Sequence, residues 1–499
     1  MKKNPPKKWT LIFLLSAKNN LFNEQLRVIN ELYSVGSSND VNLVLLFDAI
    51  EGDKFSKGFT APSIYHVKKD TSFISDPCFE SLSPSSQGLT NKKTLGKLLK
   101  IVLRDFKAEN YGFFYKGHGG PATTDISKGV FDTRMVSVDP KMTDAAIEKK
   151  YGDAQKGWDF EGFCDYPVVS KNSVNTKPIL LIYSRGNSKS LLYSDLADAL
   201  ASVFKKKLDF ICLDCCWAQQ IENANRFVEL TNYFIASADE MPALGLGYTQ
   251  LCTHFVNRPT IKAGEVANLL VSIYYYNNYA DYDSAPEYKE MGVSLTSICL
   301  SDFKKFIDPF TKLCDHFMER FREKDDKAYE LFKDARNMCF DYTYADTDNL
   351  EVSKIDFPMF NIDLIWFLEN LLFYNENIGL EQKIFDVIYQ IQNNLITAHM
   401  ENNYKKTILG SKAIGGNGIA ICFPVSKEHA DESILIDNKI SFYKATGWKK
   451  LLFEYYNYKP GQPMLLGIGT KGMAKSMSPT KDKTFAEDRK RLVFKSCKR

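Results

Sequence analysis

The sequence predicts an α/β protein: a mostly parallel sheet with helices on both faces, followed by a largely helical C-terminal region. Three observations predict it. Strand-like apolar runs alternate with helical spacing through the first 300 residues;. The runs are continuously apolar, as strands covered on both faces are. Beyond about residue 301 long helical spacing takes over.

Taken in order, residues 10–15 are the first buried strand, and Phe22, Leu26, Ile29 and Tyr33 follow at helical spacing with Gly36 as the stop;. Residues 41–47 are the second strand. Leu95, Leu98, Leu99, Val102 and Phe106 mark a helix ahead of a strand at 111–115. Ser194 is placed to cap a helix carrying Leu196, Ala199, Leu200 and Val203, and a strand at 209–213 follows;. Residues 233–237 read as a further strand, and Val266, Leu269, Leu270 and Ile273 as an amphipathic helix;. Residues 123–177 break the pattern. They are polar and weakly periodic, and read as an insertion beside the active site, a mobile lid or a loop open to proteolysis;. In the C-terminal region 303–323 and 381–400 read as long helices, 418–424 as a late strand ended by Pro424, and 448–456 as the last helix. The expected organisation is a basic segment at 1–8, a core domain at 9–300 containing the insertion, a mainly helical region at 301–458, and a basic, disordered tail at 459–499.

Composition narrows the class. The 499 residues are 44% hydrophobic and 25% charged, as in ordinary globular proteins;. The net charge of +3 is unevenly spread: residues 471–499 hold ten Lys/Arg against three Asp/Glu, leaving 54 basic and 58 acidic residues elsewhere. A near-neutral body gives no reason to expect a nucleic-acid partner, and the tail reads as a solvated end. The eleven cysteines are odd in number and irregularly spaced, and several, such as Cys212, Cys299 and Cys422, lie inside apolar runs. That pattern fits free thiols in a reducing compartment, with the cytoplasm as the default location. The apolar run at 9–17 is far short of the roughly 20 residues that span a bilayer. It leads into Lys18-Asn19-Asn20 rather than a small-residue cleavage site;.

The chemistry concentrates at Asp214-Cys215-Cys216, which follows the apolar run 209–213 and precedes a helix-like stretch at 217–222. A cysteine where a strand gives way to a helix would have its thiolate favoured by the helix dipole. A second strand end carries Lys116-Gly117-His118-Gly119-Gly120, and His118 alone among the six histidines is flanked by glycines. Cysteine hydrolysis needs a thiolate, an imidazole and oxyanion donors, which Cys216 or Cys215, His118, and the backbone N–H groups of Gly119 and Cys216 would supply. Strand alternation does not decide between the two cysteines, because it fails at a strand end. Asp214 reads either as the cap of the following helix or as the counter-charge for a cationic substrate side chain, and Asp239 and Glu240 would extend an acidic pocket. Cys212-Leu213-Asp214-Cys215 is formally C-x-x-C, but no second pair or spaced histidines complete a zinc site, and Cys212 lies within the apolar run;. Gly415-Gly416-Asn417-Gly418 precedes a strand, so it reads as a turn and not a phosphate loop;.

These residues resemble the clostripain family of cysteine peptidases in the caspase-like clan. The resemblance runs from about Lys8 to Tyr458 and rests on several ordered pieces. They are Trp9-Thr10-Leu11-Ile12 with Asn19-Asn20-Leu21; Val35-Gly36-Ser37-Ser38-Asn39-Asp40-Val41-Asn42; His118-Gly119; Asp214-x-Cys216 with Glu222; Ala236-Ser237 with Pro242, Gly247 and Tyr248; and Thr446-Gly447-Trp448. The resemblance implies a caspase–hemoglobinase sheet, a Cys216/His118 dyad, and cleavage of peptides after Arg or Lys with Asp214, and less directly Asp239, lining the pocket. It also implies a zymogen cut between His118 and Cys216, for which the insertion offers Lys128, Arg134, Lys141, Lys149 and Lys150. No cofactor is expected; some relatives use calcium, and no Asp/Asn loop here supports a site for it. The family pattern is departed from at Pro121, where a Trp usually follows the glycines, and at Trp217-Ala218. Those departures motivate the rival expectation, a non-catalytic caspase-like scaffold that binds partners through its C-terminal half.

Overall fold

The computed structural model describes residues 5–17, 21–49, 62–69, 71, 78–82, 88–89, 91–117, 119, 191–242, 244–282, 293–342, 361–375, 377–402, 404–406, 412–427, 430 and 440–460. The insertion at 123–177 and nearly all of the basic tail lie outside the described residues.

Five strands form the parallel heart of a nine-stranded sheet: β1 (Lys7–Ala17), β2 (Val41–Ala49), β5 (Ala108–Lys116), β6 (Leu208–Asp214) and β7 (Thr231–Ala236). They run side by side in the order β2-β1-β5-β6-β7. The antiparallel strands β3 (Ser63–His66) and β4 (Glu80–Ser81) extend the β2 edge. β8 (Val293–Cys299) and β10 (Ile396–Asn402) extend the β7 edge, also antiparallel to their neighbours. Chain order reverses between β1 and β5, which puts the crevice of the sheet at the carboxyl ends of its central strands;.

Alternation divides the strands between two cores. One face of the sheet presents Ile12, Leu14, Val44, Leu46, Phe113, Tyr115, Ile211 and Leu213. It is covered by α2 (Lys92–Asp105), α3 (Tyr193–Val203) and α4 (Ile221–Phe227). The other presents Trp9, Leu11, Phe13, Leu43, Leu45, Phe114, Phe210 and Cys212 under α1 (Phe22–Val35), α5 (Tyr248–Asn257) and α6 (Ala263–Tyr282). Phe13 stacks on Phe114 at 4.8 Å, and Tyr248 meets both edge-on. Burial on both faces is why these strands read as unbroken apolar runs.

The C-terminal region is not a separate layer of helices. α7 (Phe303–Arg322), α8 (Asp326–Asn337), α9 (Leu364–Tyr374), α10 (Ile378–Gln390), α11 (Ser441–Thr446) and α12 (Trp448–Asn457) are helical as expected and continue the first core. The expected helix across 381–400, however, ends at Gln390. After a wide turn at Ile391–Leu395 the chain becomes the sheet-edge strand β10. The β-branched pair Ile396-Thr397 opens that strand, and pairing with β8 outweighs the helical spacing upstream;. Three residues of the expected late strand pair, β13 (Ala420–Cys422) with β9 (Asn361–Asp363), and β11 (Tyr404–Lys406) pairs with β12 (Lys412–Ile414). The 415–418 segment is a turn, with Gly415 and Gly418 at positive φ and its N–H groups donated to Glu401, Asp363 and the Tyr342 hydroxyl. Ser194 is not a cap: Leu192 stands at that position and the helix starts without a side-chain bond.

Candidate active site

Register brings the two nominated strand ends together. β5 and β6 are adjacent and parallel, with Lys116 opposite Asp214. One residue past β5, the Gly117 N–H reaches the Asp214 carbonyl at 3.4 Å. Gly119 lies directly on the Cys215-Cys216 backbone: a Cβ there would stand 2.4 Å from the Cys216 carbonyl oxygen and 2.7 Å from its nitrogen. No side chain fits in that gap, so glycine is required for this contact. His118 lies outside the described residues; its two chain neighbours, Gly117 and Gly119, are the ones that touch Asp214 and Cys216.

The two cysteines part company at the strand end. Cys215 joins the first core and Cys216 the second, so alternation continues past Asp214 and sets Cys216 on the Asp214 face. Cys216 is buried, 3% exposed, and its sulfur accepts the Met241 backbone N–H at 3.2 Å. The Met241 carbonyl, 4.0 Å away, accepts from the thiol, and the N–H aimed at the sulfur favours the thiolate;. This replaces the helix dipole expected at that position, because no helix begins there. Residues 217–220 form a loop, Trp217 sits at φ 52°, and the seven-residue α4 starts at Ile221 with Gln220 at its N-cap. A left-handed tryptophan is strained and needs tertiary support. It has that support: the Trp217 N–H donates to the Asp239 carbonyl, its indole to the Tyr342 carbonyl, and the Gln219 N–H to the Ser237 carbonyl. These bonds hold the loop onto the chain leaving β7. The capping reading of Asp214 falls with the expected helix.

Asp214 is buried and its Oδ2 takes three donors: Lys116 Nζ at 3.2 Å, the Tyr248 hydroxyl at 2.8 Å and the Leu246 N–H at 3.1 Å. Lys116 is the residue that sequence reasoning missed, although its position two residues ahead of His118 mirrors that of Asp214 ahead of Cys216. Asp239 is also buried, and its Oδ1 accepts the Glu240 N–H at 2.8 Å. The charges of Asp214, Cys216 and Asp239 all act on a second unforeseen residue, Tyr274 of α6. Burial pushes its hydroxyl well above the ordinary tyrosine range, and the charges of all three act in the same direction. Asn278, one turn on, donates to the Gly245 and Tyr274 carbonyls.

Glu222, part of the resemblance, serves the scaffold. It is fully buried, accepts the Cys422 N–H of β13 at 3.0 Å, and burial raises its carboxyl to about 7. Burial likewise pushes the Cys212 thiol well above the ordinary range, which suits packing and not redox or metal chemistry;. Among the described residues the nine cysteines are free, no cluster of three or more His, Cys, Asp or Glu is arranged to hold a metal, and no helix is long and apolar enough to cross a membrane.

Comparison with solved structures gives the same fold. A secreted C11 cysteine protease from Bacteroides thetaiotaomicron, solved with an irreversible peptide inhibitor, is similar at TM-score 0.53 and 16% identity, covering 89% of this chain and 99% of its own. An inactive zymogen C11 protease from Parabacteroides distasonis matches at TM-score 0.53 and 15% identity, with the same coverage. No curated protein matches the chain. At sequence level the model of the clostripain family matches residues 169–418, half of the 499-residue chain. The match is narrower than the resemblance read from the sequence; it takes in Asp214, Cys216 and Asp239 and begins after His118. The chain therefore belongs to the clostripain family of cysteine peptidases.

Proposed function

We propose that the protein is an endopeptidase in which Cys216 attacks the carbonyl after an Arg or Lys residue and His118 carries the proton. The packing of Gly119 against Cys216 supports this most directly, since it brings the residue after His118 onto the nucleophile's own backbone. In the reaction, His118 takes the thiol proton as sulfur bonds to the carbonyl carbon. The N–H groups of Gly119 and Cys216 receive the developing oxyanion, and His118 then protonates the leaving amine. Water cleaves the resulting thioester with His118 as base. Met241 lends its N–H to the resting sulfur. Asp214 and Asp239 supply the negative side of the substrate pocket. No step calls on a metal or cofactor. Maturation by a self-inflicted cut between His118 and Cys216, and residence in a reducing compartment such as the cytoplasm, complete the proposal.

Fluorogenic peptides ending in Arg or Lys test it on the wild type and on Cys216→Ala, Cys215→Ala and His118→Ala. Cys216→Ala should abolish turnover, and His118→Ala should lower it by about 10²–10⁴-fold. Cys215→Ala should remain active. Turnover by Cys216→Ala equal to wild type would end the proposal.

A further inference from the structure

We infer that Lys116 is an internal counter-cation for the substrate pocket, competing with basic substrate side chains for Asp214. The inference rests on the reading that Asp214 lies beside the substrate, and it adds a specificity-determining residue to that reading.

Register is the first support. Lys116 and Asp214 are directly paired on adjacent parallel strands, so both side chains leave the same face of the sheet;. They form an ion pair at 3.2 Å with side-chain exposures of 5% and 2%. Closure over the pair is the second. The chain at 244–246 folds onto it so tightly that a Cβ on Gly245, itself at φ 63°, would stand 2.3 Å from Asp214 Oδ2 and 2.4 Å from Lys116 Nζ. Arg27 holds this segment by the Leu244 carbonyl and Asn278 by the Gly245 carbonyl. The place next to Asp214 where a guanidinium or ammonium would sit already holds an ammonium from the chain itself. An arriving Arg or Lys therefore meets a neutral pair instead of a bare carboxylate. It must displace Lys116 or share Asp214 with a like charge at close range, which is strongly unfavourable where water is scarce. An uncharged side chain meets no such opposition. Discrimination in favour of basic residues is thereby compressed.

The experiment compares kcat/KM for matched tetrapeptides differing only in the residue before the scissile bond, Arg, Lys, Gln or Leu. The enzymes are the wild type, Lys116→Gln and Lys116→Arg. Gln keeps a hydrogen-bond donor for Asp214 and removes the charge, and Arg keeps the charge. Lys116→Gln should raise the Arg:Leu ratio at least about tenfold, mainly through KM, and Lys116→Arg, whose forked cation is harder to displace, should not raise it. An unchanged ratio in a Lys116→Gln protein that melts cooperatively overturns the inference. A wild-type Arg:Leu ratio above about 10³ overturns it without any variant, because a neutralised pocket cannot discriminate so far. Binding separates this from the hydrolysis proposal. In a Cys216→Ala background, calorimetry with Arg-ended peptides should show at least about tenfold tighter binding when Lys116→Gln is added. Tighter binding with no hydrolysis by any Cys216-containing form sustains the role of Lys116 and removes the peptidase reading. Equal binding removes the role of Lys116.

Discussion

Arg336 and Asp341 meet at 3.0 Å inside the C-terminal region, and Lys116 and Asp214 meet at 3.2 Å at the sheet rim. Both pairs are buried, but their settings differ. Arg336 is five residues from its partner, also donates to the Phe423 carbonyl at 3.0 Å, and lies over the Phe423 ring. Its planar fork serves two acceptors at once, which suits a permanent structural joint;. Lys116 meets Asp214 across 98 residues, through a single flexible ammonium at the ends of two adjacent strands. A lysine that shares its carboxylate with a tyrosine and a backbone N–H is easier to displace. Charge pairs of similar length thus stand in different settings: one joins neighbouring stretches of a helical region, the other links two strand ends at the sheet rim.

The largest stability effect is expected at the first pair. Arg336→Met strands Asp341 in the interior and should lower stability by about 3–5 kcal/mol in denaturant titration, with the substrate selectivity of the folded fraction unchanged. A shift in selectivity would break the contrast. Next comes Glu222, whose carboxyl rises from an ordinary 4.5 to about 7. The folded state holds this proton more tightly than the unfolded chain. Stability therefore falls as pH rises from 4.5 towards 7 and levels off above, by about 3 kcal/mol in all. Glu222→Gln should flatten that slope in melts across the window and leave the protein more stable than wild type at pH 8. The smallest effect is expected at Tyr248→Phe. It removes one of three donors to Asp214 and should cost about 1–2 kcal/mol, because Lys116 and the Leu246 N–H remain.

The parallel strands were legible because burial on both faces writes itself into composition: residues 10–15, 41–47 and 209–213 are apolar almost without interruption. The place of Cys216 just past a strand end was legible from the apolar run before it. Lys116 was not, because its role depends on which residue of β5 stands opposite Asp214, and no local pattern encodes a register between strands so far apart in the chain. The loop at 217–220 misled for a different reason. Trp-Ala-Gln-Gln is tolerated in helices, and its bonds to the Asp239 and Ser237 carbonyls are tertiary. Strand β10 was missed because an edge strand half open to solvent carries a weaker pattern than a central one;.

The adjacency of β5 and β6 has one more consequence. Everything between Gly119 and Leu191 connects two strands that already share a hydrogen-bond ladder and two hydrophobic cores. Severing the backbone anywhere in that stretch would leave both pieces gripping one another, so a nicked molecule would travel as one particle on a sizing column and separate only when denatured.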